Sequence, residues 1–310
     1  MKILVTGATG YVGQNFIPKL LQIFPELEIL TVNLSVEEAN TLFPFQQCKH
    51  ISTQEMAFIQ DFNPHLVYHL ATLSTSRNDE AIIHPMLQAN IEFGVKLLHH
   101  LSFCSNLQLF VNIGSFAEYN QGTQKISNSY LYSATKSAFR QFVEYYAVLS
   151  GYKAIHLVPY SLYGGKDTAK KIIDYIRESF DSETPVKMSK GEQILDFTHV
   201  QDLVFFFLLI IKQLDRFLLF PVGEEFHIGT GTGTSIRDLA KKMEKVFGKQ
   251  CNADWGGIPY RPLDTMYAVA PIEKNIKLLN WKTAISLDEG LEMYKEAHIK
   301  TIRTIPPELL

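Results

Sequence analysis

Two side chains set the chemical question. In Tyr132-Ser-Ala-Thr-Lys136 a phenol and an ammonium stand four residues apart, which on a helix puts them on one face. A free tyrosine titrates near ~10, too high to exchange protons readily at neutral pH. A neighbouring lysine cation stabilises the phenolate and is expected to lower that value. Such a phenol can give or take a proton at a carbonyl or alcohol oxygen while a hydride moves at the attached carbon. Ser115, just past the apolar run Leu107 to Ile113, is placed to hydrogen-bond the same oxygen. Singly these pieces are common: Tyr-x-x-x-Lys falls on many surface helices, and a serine at a strand end is usually a cap or turn former. Their order along one chain is what gives them weight.

Hydride chemistry needs a carrier, and the first thirteen residues offer a seat for one. Ile3, Leu4 and Val5 form a short apolar run, read as a buried parallel strand. Gly7, Gly10 and Gly13 follow at three-residue spacing, and a helical pattern starts at once with Tyr11, Val12, Phe16, Ile17, Leu20 and Leu21. In strand–glycine turn–helix context the backbone can approach a pyrophosphate, and the helix N-terminus presents its N–H groups to it. The residues expected to touch the cofactor here are Gly7, Thr9, Gly10, Tyr11, Val12 and Gly13.

The elements that must position these groups can be read in order. A second strand is expected over Glu28–Val32, further strands over Leu66–Leu70, Leu107–Ile113 and Ala154–Val158, and a helix over Tyr130–Leu149 closed by Gly151. Residues 36–64 hold a helix or two and a short strand. Leu203–Ile211 reads as a buried core helix, too short to span a bilayer. Strands alternating with helices over the first 160 residues imply an α/β fold, a Rossmann-type doubly wound parallel sheet covered on both faces. A late strand follows at Glu225–Gly229. Ser235–Phe247 is then a helix with a capping box from Ser235 to Asp238 and Gly248 at its C-terminal end.

Taken together, the motifs resemble the extended short-chain dehydrogenase/reductase superfamily, the NAD-dependent epimerase/dehydratase group that modifies nucleotide sugars. Thr6-Gly-Ala-Thr-Gly-Tyr-Val-Gly13 is similar to its opening, and Tyr132 and Lys136 match its catalytic pair. Tyr68-His-Leu-Ala71 resembles its strand whose loop passes under the nicotinamide, and Asn90 its Asn-x-x-Gly pattern, which implies a role holding the central strands and helix together. Val158-Pro-Tyr-Ser-Leu-Tyr-Gly164 resembles Arg-Pro-x-Asn-x-Tyr-Gly, with Val158 and Ser161 as departures. Leu195-Asp-Phe-Thr-His-Val-Gln-Asp202 and Tyr260-Arg261-Pro-Leu-Asp264 continue the series. The resemblance runs nearly end to end.

That resemblance implies the catalytic trio Ser115, Tyr132 and Lys136, with Lys136 also on the cofactor ribose. It adds Asn33, Leu70, Ala71, Thr72, Asn90, Pro159 and Tyr160 to the cofactor residues. It places Ser74, Ser115, Phe116, Ser161, Arg261 and Asp264 on the substrate, a nucleotide-linked sugar. It divides the chain into a dinucleotide-binding domain, 1–159 with a returning segment 196–229, and a smaller C-terminal substrate-binding α/β domain, 160–195 with 230–310. It also implies a homodimer, through a four-helix contact of helices 85–102 and 131–149.

Departures narrow the chemistry. Val32 stands where the family carries an aspartate on the adenosine ribose, so the cofactor is NAD(P)H with the balance towards NADPH over NADH. Phe116 and Ala117 stand where the 4,6-dehydratases carry acids, which excludes dehydration, and Ala117 stands where the epimerase-reductases carry cysteine. Gly-Ser-x-x-Glu-Tyr, Gly191-Glu-Gln-Ile-x-Asp-Phe197 and His227-Ile-Gly-Thr-Gly231 look most like the 4-keto-6-deoxyhexose reductases, of which CDP-abequose synthase is an example. The expected reaction is reduction of a C4 ketone. The alternatives are a 4-epimerase with tightly bound NAD and a non-catalytic NAD(P) sensor, although sensors usually lack the tyrosine or lysine. Leu195 replaces a family arginine that often pairs with the substrate diphosphate.

Bulk properties agree with a globular enzyme. Of 310 residues 46% are apolar and 20% charged, and the net charge is −3, which gives no reason to expect nucleic acid or a membrane as partner. Three scattered cysteines, Cys48, Cys104 and Cys251, form neither a disulfide framework nor a metal site. With a chain that opens directly into a strand, no leader is expected and the cytoplasm is the expected compartment.

Overall fold

The computed structural model describes residues 1–120, 122–166 and 170–304, with side chains to residue 299. Its first strand is an inner strand of the sheet. β1 (Lys2–Thr6) lies between β2 (Glu28–Asn33) and β4 (Leu66–His69), Ile3 standing opposite both Ile29 and Leu66. A strand covered on both faces must be apolar at every position, and Ile3, Leu4 and Val5 are each fully buried. β3 (Cys48–Ser52), β5 (Leu109–Ile113), β6 (Lys153–Pro159) and a last strand, Glu224–Ile228, complete a mostly parallel seven-stranded sheet. Its order is last strand–β6–β5–β4–β1–β2–β3. The winding reverses between β1 and β4, and it is outside the carboxyl ends of two such strands that α/β sheets bind ligands.

The helices of this unit include α1 (Tyr11–Ile23), α2 (Val36–Leu42), α3 (Phe58–Phe62), α4 (Glu80–Leu87), α5 (Phe93–Leu101) and α6 (Leu131–Ser150), with Leu214–Phe217 and most of Val200–Lys212 from the returning segment. On one face Val67 and Phe110 of the sheet meet Leu97, Leu98 and Leu101 of α5 and Phe139 and Val143 of α6. Elsewhere Phe16 of α1 and Tyr68 of β4 meet edge to face with ring centroids 4.9 Å apart, and Phe207 stands 5.0 Å from each. Tyr68 also donates its hydroxyl hydrogen bond to the Phe207 carbonyl at 2.7 Å. Phe207 belongs to the helix Val200–Lys212, which contains the apolar run read as a core helix.

The helix expected over 85–102 starts earlier, at Glu80, and runs helical without interruption to Leu101. α4 and α5 are joined by a wider π-helical turn, Gln88–Glu92, with Asn90 buried in it. Bonds from Asn90 to Leu73 and Thr135 tie that turn to distant chain, a tertiary cause that periodicity does not carry. α6 runs as one helix and ends where Gly151 takes the left-handed conformation, φ +79°.

The chain divides into two compact units, Met1–Pro159 with Val204–His227 and Tyr160–Leu203 with Ile228–Leu310. The segment that rejoins the first unit is thus shorter than the expected 196–229. The second unit holds small sheets. Ser161–Tyr163 pairs with Phe197–His199, and Ile194–Leu195 lies between Thr234–Ser235 and Tyr267–Ala268. Its helix Ile236–Phe247 is capped by Ser235, whose hydroxyl accepts from Asp238 N at 3.0 Å, and closed by left-handed Gly248. Ile236, Leu239, Ala240 and Met243 of that helix meet Met188, Phe197 and Leu291 in one core. Among the described residues no helix is long and apolar enough to cross a membrane.

Candidate active site

The glycine turn has little room for anything but glycine. Gly7 has φ +68°, and a Cβ there would lie 2.5 Å from the Ala71 nitrogen, so the loops after β1 and β4 meet backbone to backbone. Thr6 ties them: its hydroxyl accepts from Ala71 N at 3.2 Å and lies 2.8 Å from His69 Nδ1. At Gly13 a Cβ would lie 2.2 Å from the Ala8 carbonyl oxygen, which brings α1 close onto the turn. Gly10 is the N-cap of α1 and no side chain caps the helix. A helix N-terminus behind a glycine turn is the arrangement that receives an anion. Thr9, Tyr11 and Val12 line the same turn.

At the end of β2, Val32 is buried in the sheet core and Leu34 is almost fully exposed. Asn33 is buried. Its amide nitrogen donates to Thr31 Oγ1 at 2.7 Å, while its Oδ1 has no hydrogen-bond partner among the described residues. A buried acceptor left open at a strand's carboxyl end suits a ligand hydroxyl. With the glycine turn, the uncapped helix and this acceptor, the first unit fits an adenine dinucleotide.

α6 carries the candidate pair. Tyr132 and Lys136 share one face, with the Lys136 ammonium 5.9 Å from the centre of the Tyr132 ring. The hydroxyls of Ser74, Thr72 and Ser115 hydrogen-bond to the Tyr132 phenol and favour its ionised form. Burial outweighs them, helped by the negative charge of Glu118, and pushes the phenol up to about 12. This corrects the expectation that Lys136 would bring Tyr132 below its ordinary value: desolvation of the phenolate is the larger effect. Lys136 itself is pushed down to about 8, by burial first and by the Arg140 charge, against the opposing pull of Glu118. Its ammonium has no hydrogen-bond acceptor among the described residues, so it is able to take a ribose hydroxyl. His69, behind it, is pushed down to about 3 by burial and by Lys136 and stays neutral.

Ser115 does two jobs. Its Oγ accepts from Ala117 N at 3.2 Å, capping the one-turn 3₁₀ helix Phe116–Glu118, and it also reaches Tyr132. Phe116 is half-buried and Ala117 is buried. Glu118, the nearest carboxylate, is fully buried and held by Arg140, Ser137 and the Ser115 backbone.

Asn90 is spent on the protein. Its Oδ1 accepts from Leu73 N at 2.7 Å and Thr72 Oγ1 at 3.1 Å, and its nitrogen donates to the Leu73 carbonyl and Thr135 Oγ1. It holds the loop carrying Leu70, Ala71, Thr72 and Ser74 rather than presenting a free amide to a cofactor.

The other candidates divide between the units. Pro159 ends β6. In the second unit Tyr160 is buried with its N–H on the Ile228 carbonyl, and Ser161 N–H bonds the Asp196 carbonyl at 2.9 Å. Arg261 is exposed with no ion pair among the described residues. Asp264 is half-buried and accepts from Gln193 at 3.3 Å. Leu195, which stands where the resembled family carries an arginine, packs on this unit's core. Asp196 beside it is fully buried and accepts from Thr230 N at 2.9 Å, Thr230 Oγ1 at 2.7 Å and Gly231 N at 2.8 Å. Sequence reasoning missed the ion network around Glu118, namely its partner Arg140 and the Glu225 with which Arg140 also pairs. The available signal was a charge at position 140 between the apolar, buried positions Phe139 and Val143.

With this geometry in hand, comparison with known proteins is informative. CDP-abequose synthase of Salmonella typhimurium is 25% identical over 94% of this chain and 96% of its own. An uncharacterized UDP-glucose epimerase of Bacillus subtilis is 24% identical over the same shares. Among solved structures, UDP-glucuronic acid 4-epimerase from Bacillus cereus in complex with UDP-glucuronic acid and NAD superposes with a TM-score of 0.84 at 22% identity, covering 97% of this chain and 100% of its own. The family model for the NAD dependent epimerase/dehydratase family matches residues 3–229, which take in the glycine turn, the hydroxyls around Tyr132 and the whole of α6. The chain belongs to that family and is an NAD-dependent enzyme of the short-chain dehydrogenase/reductase type.

Proposed function

We propose that this enzyme reduces the C4 ketone of a nucleotide-linked 4-keto-6-deoxyhexose. The observation that carries this reading is the likeness to CDP-abequose synthase over 94% of this chain. It is joined by the placement of Tyr132, whose phenol is bonded by Ser74, Thr72 and Ser115. A phenol so placed can give its proton to a carbonyl oxygen as the ketone is reduced.

The reduced nicotinamide, when bound, supplies the hydride. The Gly7–Gly13 turn and the α1 N-terminus hold its pyrophosphate, Asn33 Oδ1 accepts from the adenosine ribose, and Lys136 holds the nicotinamide ribose. Ser115 and Ser74 orient the carbonyl, and Tyr132 delivers its proton to the oxygen as the hydride arrives at carbon. Phe116 and Ala117 carry no exchangeable proton and Glu118 is locked in an ion pair, so no side chain nearby promotes loss of water. Buried Val32 sets no carboxylate against a 2′-phosphate, which admits NADPH beside NADH. Arg261 and Asp264 are the residues we assign to the nucleotide half of the substrate, and Ser161 is assigned to the substrate as well.

On α6 the residues Phe142, Tyr145, Val148 and Leu149 form an exposed apolar strip. We read it as the face of a homodimer. The function is tested by a panel of CDP-, dTDP-, GDP- and UDP-linked 4-keto-6-deoxyhexoses with NADPH and NADH. Turnover of at least one is expected; none, beside interconversion of UDP-hexoses, would turn the reading over to an epimerase.

A further inference from the structure

Glu118, Arg140 and Glu225 form a buried ion network that the reaction as described does not use. Arg140 sits one turn after Lys136 and two turns after Tyr132 on α6. Its Nε donates to Glu118 Oε2 at 2.8 Å and its Nη2 to Glu118 Oε1 at 3.2 Å, while Nη1 pairs with Glu225. Glu225 also accepts from Tyr119, and His227 Nε2 lies 2.6 Å from its other oxygen. Burial pushes Glu225 up, but His227 and Arg140 outweigh it and hold the carboxyl at about 2. Glu118 Oε1 in turn accepts from the Ser115 backbone N–H at 2.7 Å. The pair lies against Gly114: a Cβ there would stand 2.5 Å from Glu118 Oε1 and 2.8 Å from Arg140 Nη2. The network is thus wedged between the end of β5, α6 and the last strand of the sheet.

We propose that Glu118 and Arg140 are positioning residues of the catalytic trio, Glu118 clamping Ser115 and the pair setting the charge that Lys136 feels, with Glu225 as the anchor of Arg140. This rests on the roles given above to Ser115 and Lys136. Burying two carboxylates and a guanidinium is a poor way to stabilise a fold, since apolar side chains of similar size do as well or better. What the network supplies is a fixed pair of opposite charges beside the reacting groups. The charged or titratable groups facing Lys136 are Tyr132 and Arg140 on its own helix, Glu118 from the 3₁₀ turn and His69 from β4. His69 is neutral, so the balance falls to Glu118, which favours the ammonium, and Arg140, which opposes it.

The signs give a test. Removing the Glu118 charge must move the Lys136 titration to lower pH; removing the Arg140 charge as well must move it back up. The probe is NADH or NADPH alone, bound by fluorescence titration from about pH 6 to about pH 10. No sugar is needed, so a wrong substrate assignment leaves the result readable. In the native enzyme affinity weakens above the Lys136 midpoint. In Glu118→Gln the weakening sets in at lower pH, and in Glu118→Gln/Arg140→Met it returns towards the native position. Glu118→Asp keeps the charge and shortens the arm. It is expected to keep the native midpoint while amide hydrogen exchange at Ser115 quickens roughly 10-fold or more as the clamp opens, and it carries the test if the glutamine variant does not fold. An unmoved or alkaline midpoint in Glu118→Gln would overturn the electrostatic half. Unchanged exchange at Ser115 in Glu118→Asp would overturn the clamp.

Discussion

Tyr132→Phe removes one oxygen from the site, and the structure lets both consequences be weighed. The phenol is bonded by Ser74, Thr72 and Ser115. None of these is stranded by its loss: Thr72 still donates to Asn90, Ser115 still caps its turn, and Ser74 is exposed. The stability change is therefore that of a few replaceable hydrogen bonds, about 1 kcal/mol or less. The kinetic change is larger, because no other group at the site offers a proton to the carbonyl oxygen. Loss of general acid catalysis is worth roughly 10²- to 10⁴-fold in kcat, about 3–5 kcal/mol of barrier. Steady-state kinetics beside chemical denaturation gives both numbers, and a cofactor titration should show affinity little changed. A folded Tyr132→Phe enzyme that keeps more than about a tenth of its kcat would refute the assignment, since 10² is the lower end of the expected loss.

Other predictions follow from the same geometry. Cofactor affinity and kcat/KM should fall on the alkaline side with a midpoint near Lys136, whose ammonium is held at about 8; as the folded pKa lies below the ordinary lysine value, the useful cation is present below it and lost above it. A limb appearing only near the Tyr132 value would contradict this. At Gly10 an added Cβ meets only the Gly7 carbonyl oxygen, at 3.2 Å, so Gly10→Asp should fold while its carboxylate repels the pyrophosphate, weakening binding by roughly 10-fold or more in calorimetry, about 1.4 kcal/mol. Asp196→Asn turns an acceptor that serves Gly231 N and Ala270 N into a competing donor, and should lower unfolding stability in urea by about 1–3 kcal/mol for each stranded group. An unchanged midpoint would show that those amides find other partners.

Much of the first unit was legible because its signals are local. Ile3–Val5 is a central strand and reads as an apolar run; Gly7 to Gly13 must pass close to backbone and reads as glycine; Tyr132 and Lys136 share a face because four residues is one helical turn. What escaped depends on distant chain. The π-helical turn between α4 and α5 is tied down by Asn90 reaching Leu73 and Thr135. The raised phenol of Tyr132 follows from burial, which the Tyr-x-x-x-Lys spacing does not encode. Glu118 was visible within Gly-Ser-x-x-Glu-Tyr, but its partner lies on α6 and the anchor Glu225 lies 85 residues beyond Arg140. Asn90 was read by resemblance both as a cofactor residue and as a tie between the central strands and the helix, and its bonds are those of the tie, on the loop that carries Thr72 and Ser74.

The central claim is a net reduction, and its most direct measurement is stoichiometry. The enzyme is mixed with a nucleotide-4-keto-6-deoxyhexose and a known amount of NAD(P)H carrying deuterium at the transferable position, and absorbance of the reduced nicotinamide is followed to completion. One cofactor oxidised per sugar reduced, with the deuterium at C4 of the product sugar, is the predicted result. No net loss of absorbance while two nucleotide hexoses interconvert would contradict it.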